Sequence, residues 1–198
     1  MIESEQITDD GGGQGDPSTP AKPEQDTIVM VGLMGAGKTA IGRRLAARLG
    51  LPFVDADEEI EAAAGSSITD IFERLGEASF RDGERRVIAR LLEGPAIVLA
   101  TGGGAFMDPE TRARIAEKGI SVWLRADIET LVRRTSRRQN RPLLANGDPR
   151  EILERLKEVR YPVYQQADII VDSLDGPAEV TLQNVLDGLD TYRAAVKS

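Results

Sequence analysis

A run of eight residues constrains the fold of this chain more than any other feature. Gly32-Leu33-Met34-Gly35-Ala36-Gly37-Lys38-Thr39 follows the apolar run 27–31 and precedes an amphipathic stretch. Glycines in such a loop let backbone N–H groups turn towards phosphate oxygens, and the start of the next helix adds positive potential. The spacing G-x-x-x-x-G-K-[ST], found between a strand and a helix, therefore predicts a nucleoside-triphosphate site.

The loop also assigns a role to each polar side chain. Lys38 offers a mobile cation to the β- and γ-phosphates, and the hydroxyl of Thr39 is suited to coordinate Mg²⁺. The predicted nucleotide-binding residues of the loop and the helix start are Gly35, Ala36, Gly37, Lys38, Thr39 and Ala40.

From residue 27 onward, short β-rich runs alternate with longer helical ones. Strands are predicted at residues 27–31, 52–55, 96–100, 121–124 and 169–171. Because these runs are apolar on both faces, we expect a central five-stranded parallel sheet within a three-layer α/β domain. Helices are predicted at residues 39–49, 58–64, 78–92, 109–118, 128–137, 149–160 and 177–192.

The composition of the chain excludes several kinds of catalytic group and argues against nucleic-acid binding, a membrane span and secretion. The chain has no cysteine and no histidine, so catalysis must use carboxylates, Lys, Arg, hydroxyls and backbone amides. A net charge of −8 argues against a general nucleic-acid binder. No apolar run reaches the length of a membrane span, and the N-terminal residues lack the blocks of a secretory signal. We therefore expect a cytoplasmic protein.

The N-terminal segment differs from the rest of the chain. Residues 1–26 carry seven acidic side chains and one basic one, Lys22, and are rich in Gly and Pro. Such a segment cannot bury enough apolar area to offset its chain entropy, so we predict a disordered acidic tail. An inert extension is the favoured interpretation, and a partner-binding role stays open. The folded domain is predicted at residues 27–198.

Two aspartates are predicted to lie near the phosphate loop. Asp55 and Asp57 come at the end of the second strand, and functional residues gather at the carboxyl ends of parallel strands. One of them could hold the metal through water while the other orients an acceptor hydroxyl. The alternative is that Asp57 only caps the following helix.

Six further segments, in order along residues 27–180, resemble the shikimate kinases. The phosphate loop alone is shared by many enzymes, but the ordered set is specific to this family. The matching residues, with the loop, are 32–43, 55–57, 68–72, 76–81, 102–105, 140–144 and 160–164. The resemblance implies a P-loop NTPase fold with a mobile lid at about residues 136–148 and a small substrate-binding helical region.

The resemblance also implies an activity. It is transfer of the ATP γ-phosphoryl group to the 3-hydroxyl of shikimate, giving shikimate 3-phosphate, in chorismate and aromatic amino-acid biosynthesis. Asp57 matches the aspartate that binds the substrate hydroxyls and accepts the hydroxyl proton. Asp55 matches the one that reaches Mg²⁺ through water. With Lys38 and Arg141, Asp57 completes the predicted catalytic set.

Further residues are assigned by the same resemblance. Arg81 and Arg160, with the glycine run Gly102, Gly103 and Gly104, are expected to bind shikimate. Guanidinium groups suit a carboxylated polyol, since they bind carboxylate through two parallel hydrogen bonds. In the enzymes that this chain resembles, the arginine that matches Arg141 belongs to the lid and meets the phosphates, and the one that matches Arg134 lies near adenine. Ala40 stands where many relatives have a second hydroxyl, so we expect one nucleotide contact fewer. The family tendency favours a monomer.

Two other functions stay open. A related small-molecule kinase, acting on gluconate or a nucleoside monophosphate, would need the same phosphate loop, and gluconate would also need carboxylate-binding arginines. A nucleotide-dependent binding module that works through the acidic tail would bind ATP without turnover.

Overall fold

The computed structural model describes residues 26–136 and 147–196. The strands are β1 (Thr27–Val31), β2 (Phe53–Asp55), β3 (Val98–Ala100), β4 (Gly119–Arg125) and β5 (Ile169–Asp172). The helices are α1 (Lys38–Leu49), α2 (Ala56–Ala64), α3 (Ile68–Leu92), α4 (Pro109–Lys118), α5 (Ile128–Ser136), α6 (Pro149–Tyr164) and α7 (Ala178–Val196), with a short 3-10 helix at Ala105–Met107. Apart from Asp26, the predicted tail lies outside the described residues, as do residues 137–146 of the predicted lid.

The five strands form one parallel sheet, as predicted, and their order in it is β2-β3-β1-β4-β5. Ile28, Val29 and Met30 of the central strand β1 are fully buried, because helices cover both faces of the sheet there. Asp55, Ala100 and Met30 lie level with one another in the strand register. The loops that follow β1, β2 and β3 therefore meet at one edge of the sheet, where ligands bind in folds of this type.

Strand β5 departs from the prediction of two apolar faces. Ile169 and Val171 are buried, whereas Ile170 and Asp172 are exposed. β5 is an edge strand, and α7 packs against one of its faces while the other meets solvent. In a strand that is covered on one face only, buried and exposed side chains alternate.

Helix α3 begins ten residues before the predicted start at residue 78. The side chain of Ser67 caps the helix by accepting a hydrogen bond from the backbone N–H of Asp70, at 3.1 Å. Gly76, with φ 81° and ψ 169°, breaks the helical geometry inside α3 and obscured its periodicity. Ile60, Ile71, Phe80 and Val87 form a separate small core between α2 and α3. These helices make up a small helical region beside the sheet.

Helix α6 also runs past its predicted end at residue 160. It continues through Pro162 to Tyr164, so Arg160, Tyr161 and Tyr164 all lie on helical backbone. Trp123 on β4 is 1% exposed and packs edge-on against Tyr161 and Tyr164, which fixes the last turn of α6 against the sheet. None of the helices in residues 26–136 and 147–196 combines the length and the apolar character of a membrane span.

Candidate active site

The phosphate loop lies where the sequence predicts it, between β1 and α1. Gly35 and Gly37 adopt φ values of 84° and 99°, a left-handed conformation that favours glycine. The ammonium group of Lys38 donates hydrogen bonds to the backbone oxygens of Gly32, at 2.7 Å, and Leu33, at 3.0 Å. The lysine is thus folded over the loop that is expected to hold phosphate. Ala36 is buried and its N–H donates to Leu33 O, while Ala40 is exposed.

Asp55 connects the phosphate loop to helix α2. Its Oδ1 accepts a hydrogen bond from the backbone N–H of Asp57, at 3.1 Å, and caps α2. Its Oδ2 accepts from the hydroxyl of Thr39, at 3.2 Å. The alternative in which Asp57 caps the helix is therefore wrong, because β2 ends at Asp55 and this residue takes the N-cap position. Asp57 instead lies in the first turn of α2.

The hydroxyl oxygen of Thr39 and the carboxylate of Asp55 are suited to bind a small hard cation. Mg²⁺ prefers oxygen ligands, keeps several waters and is usually bound by one or two protein groups together with substrate phosphates. No cluster of three or more acidic ligands occurs in residues 26–136 and 147–196. A site of this kind needs none.

The three glycines after β3 lie against four charged side chains. A Cβ atom at Gly102 would come 3.0 Å from Asp57 Oδ1 and 2.9 Å from Glu84 Oε1. At Gly103 it would come 2.9 Å from Arg160 Nη1, and at Gly104 it would overlap Arg81 Nη1. Because these residues have no side chain, the charged groups approach the backbone closely. The structure thus brings together Asp57, the two predicted arginines and the glycine run.

Glu84 belongs to this cluster and was missed in the sequence analysis. Arg81 Nη1 donates to Glu84 Oε2 at 2.7 Å, and the residue is 3% exposed. Its other oxygen, Oε1, has no hydrogen-bond partner among the described residues. Burial raises the pKa of Glu84, and the charge of Asp57 adds to this, although Arg81 and Arg160 act in the opposite direction. The spacing of Arg81 and Glu84, three residues apart on one helix, is the signal that could have found it.

Arg81 is also held by Glu77, at 3.3 Å. Partial burial lowers the pKa of Arg81, but the two glutamates outweigh this and the net pKa is raised. The guanidinium group therefore keeps its charge while it packs against Gly104.

Arg160 and Tyr164 approach the glycine run from α6. Arg160 is 9% exposed, and the hydroxyl of Tyr164 donates a hydrogen bond to the backbone oxygen of Gly103. Burial raises the pKa of Tyr164 to about 12, so the phenol stays protonated and remains a donor. Tyr164 lies in a matching segment, but no role was predicted for it.

Two further arginines, Arg134 and Arg141, are predicted to contact the nucleotide. Arg134 on α5 donates to Ser173 Oγ, at 2.9 Å, and to Leu174 O, at 2.7 Å, and its Nη1 lies 3.4 Å from Gly35 O. It therefore lies beside the phosphate loop, and its contact with adenine stays a prediction. Arg141 lies outside the described residues, so its role as a phosphate ligand stays a prediction as well.

We expect the substitution Glu84→Gln to remove a pH dependence of folding stability. Because burial raises the pKa of Glu84 in the folded state, the folded protein holds this proton more tightly than the unfolded chain does. The free energy of unfolding therefore falls as pH rises from the ordinary value of 4.5 through the raised pKa. Urea unfolding from pH 4.5 upward should show the parent losing stability relative to the Gln variant.

Glu77→Gln is the matched control for this measurement, since Glu77 holds the same arginine from an exposed position. Its stability difference from the parent should not reproduce that trend. A difference between the parent and Glu84→Gln that stays constant with pH would show that the folded state does not perturb Glu84.

Together, a glycine-rich phosphate loop at the carboxyl edge of a parallel sheet and an opposing cluster of two arginines and two carboxylates define a P-loop phosphotransferase. The shikimate kinase family model matches residues 34–190. A curated shikimate kinase from Paramagnetospirillum magneticum is 67% identical over 166 residues, which cover 84% of this chain and 85% of the relative. The chain belongs to the shikimate kinase family.

Solved structures agree with this assignment. The shikimate kinase of Acinetobacter baumannii, in complex with shikimate, superposes with a TM-score of 0.81 at 40% identity, covering 86% of this chain and 96% of that one. A gluconokinase from Sinorhizobium meliloti gives a TM-score of 0.59 at 19% identity, covering 88% of this chain and 97% of the other. That second similarity shows a shared fold alone.

Proposed function

We propose that this protein transfers the γ-phosphoryl group of ATP to the 3-hydroxyl of shikimate and so forms shikimate 3-phosphate. The observation that carries the proposal is the convergence of Asp57, Arg81 and Arg160 on the glycine run, next to the phosphate loop. Membership of the shikimate kinase family supports it. The reaction would serve chorismate and aromatic amino-acid biosynthesis, in the cytoplasm, and we expect a monomeric enzyme.

On the nucleotide side, the backbone N–H groups around Gly35, Ala36 and Gly37 would surround the phosphates. The ammonium group of Lys38 would exchange its two backbone acceptors for phosphate oxygens, which are stronger acceptors because they are charged. Arg134, whose Nη1 lies 3.4 Å from Gly35 O, would also contact the nucleotide. Arg141 is proposed as a further phosphate ligand.

Thr39 and Asp55 would hold Mg²⁺, Asp55 through a water molecule. When bound, the ion would neutralise charge that develops on the phosphates. Asp55 Oδ1 accepts the hydrogen bond from Asp57 N–H that caps α2. This hydrogen bond orients the carboxylate so that Oδ2 faces the hydroxyl of Thr39.

On the acceptor side, Arg81 and Arg160 would bind the carboxylate of shikimate while Asp57 binds the reacting hydroxyl. A new bond forms between that hydroxyl oxygen and the γ-phosphorus, and the bond from the γ-phosphorus to the β–γ bridging oxygen breaks. The hydroxyl proton passes to Asp57, and ADP leaves with the bridging oxygen. Phosphoryl transfer depends mainly on such positioning and on cations at the developing charge.

Glu84 would act on this reaction through Arg81. It receives the short hydrogen bond from Arg81 and fixes the guanidinium group against Gly104. Its second carboxylate oxygen, Oε1, lies beside Gly102, the same glycine that Asp57 Oδ1 approaches. We therefore add Glu84 to the residues that position the acceptor.

A coupled assay of ADP formation tests the proposal. The purified protein is given ATP and Mg²⁺ with shikimate, gluconate or AMP, and with no acceptor as the control. We expect rapid ADP release with shikimate alone and loss of turnover when Mg²⁺ is removed. Preference for gluconate or AMP would assign the chain to the related small-molecule kinases, and ATP binding without any turnover would favour a binding module.

A further inference from the structure

The glycine run is joined by hydrogen bonds to the 3-10 helix that follows it. The backbone N–H of Ala105 donates to Gly102 O, at 3.1 Å, and the N–H of Met107 donates to Gly104 O, at 3.0 Å. The two segments therefore form one hydrogen-bonded unit. A shift of the 3-10 helix would move the glycine backbone with it.

Arg112 on α4 holds the far end of this unit. Its Nη1 donates to the backbone oxygens of Phe106, at 2.8 Å, and Met107, at 2.9 Å. Carbonyl groups at the end of a helix find no N–H donor within it and need an external donor. One nitrogen of Arg112 supplies both hydrogen bonds from a half-buried position.

Other contacts place the same unit relative to α3. Arg85 donates to Asp108 Oδ2, at 3.1 Å, while Asp108 Oδ1 caps α4 by accepting from the N–H of Thr111, at 2.8 Å. Arg85 lies on α3, the helix that also carries Arg81 and Glu84. The 3-10 helix thus lies between the element that presents Arg81 and the element that presents Arg112.

We propose that Arg112 is a positioning residue for the acceptor site, which it does not itself contact. By fixing the carbonyls of Phe106 and Met107, it sets where the backbone of the glycine run lies relative to Arg81 and Arg160. The inference rests on the proposed function, in which these arginines bind the acceptor. Small displacements matter there, since a shift of about 1 Å in a substrate-positioning group costs up to about 100-fold in rate.

Three variants test this inference. Arg112→Met removes the donor and keeps an unbranched apolar stem, while Arg112→Lys keeps a positive charge on a shorter side chain. Arg114→Met is the matched control, because Arg114 lies on the same helix and forms an exposed ion pair with Glu110 at 3.1 Å. We expect Arg112→Met to raise the KM for shikimate about tenfold, with the KM for ATP nearly unchanged. Arg112→Lys should fall between Arg112→Met and the parent.

The near-ultraviolet circular dichroism of Trp123 gives a readout that needs no activity. Trp123, the chain's one tryptophan, packs against Tyr164, with ring centroids 5.8 Å apart. Tyr164 in turn donates to Gly103 O. Arg112→Met should therefore alter the indole bands, whereas Arg114→Met should not.

The outcomes separate the two proposals. A parent protein with no turnover on shikimate refutes the proposed function, and the indole bands still decide whether Arg112 holds the glycine run. An active parent with an unchanged shikimate KM in Arg112→Met overturns the inference, and so does an equal rise of both KM values. If Arg112→Met does not fold, Arg112→Lys decides: a raised shikimate KM with an unchanged ATP KM supports the inference, and an unchanged shikimate KM overturns it.

Discussion

Asp57→Asn is expected to lower kcat by about 10²- to 10⁴-fold, the usual contribution of a positioned general base, with little change in the affinity for ATP. Asparagine keeps the size of the side chain but cannot accept the hydroxyl proton. The helix should survive, because Asp55 and not Asp57 provides the cap of α2. Steady-state kinetics with shikimate, together with ATP titration, measures both quantities.

Glu58→Gln is the matched control for Asp57→Asn. Glu58 is the next residue of α2, it is exposed, and its ion pair with Arg43 is long, at 3.6 Å. The same change of carboxylate to amide at this position should leave kcat nearly unchanged. A variant of Asp57 with unimpaired kcat would remove this residue from the mechanism.

Gly104→Ala should weaken acceptor binding without disturbing the fold. The backbone at Gly104 has φ −92° and ψ −20°, which alanine adopts without strain. The new Cβ would overlap Arg81 Nη1 and come 2.6 Å from its Cζ, so the guanidinium group must move away. We expect the KM for shikimate to rise about 10- to 100-fold, with the KM for ATP nearly unchanged.

This glycine substitution isolates the position of Arg81 better than removal of the arginine does. Arg81→Ala would leave the carboxylate of Glu84 buried and without its ion-pair partner, which adds a loss of stability to the loss of binding. Gly83→Ala is the control, because a Cβ there meets nothing within 4 Å on the same helix as Arg81. A shikimate KM that is unchanged in Gly104→Ala would contradict the proposed role of Arg81.

The sheet and the phosphate loop could be predicted because their signals are local. Buried parallel strands such as β1 and β3 appear as continuous apolar runs. The residue types around Lys38 are fixed by phosphate chemistry and not by distant contacts. The start of α3 could have been found from Ser67 and Asp70, but Gly76 interrupts the helical pattern that follows.

The sequence does not show which of Asp55 and Asp57 caps α2 and which faces the acceptor site. Asp55-Ala56-Asp57 allows either aspartate to cap α2, and the end of β2 decides between them. Glu84 was harder to find, because its burial depends on the glycine run about twenty residues further along the chain. Arg134 joins the phosphate loop to Ser173, a contact that depends on β5 lying at the sheet edge.

The three glycines after β3 present bare backbone, and charged side chains from three helices contact it directly. Inserting or deleting a residue there would move each glycine out of its position. A residue with a side chain would then face a guanidinium or carboxylate group. The length of this segment should therefore be as restricted as its composition. Evolutionary drift in this protein should be found on the outer faces of its helices, where a substitution displaces only solvent.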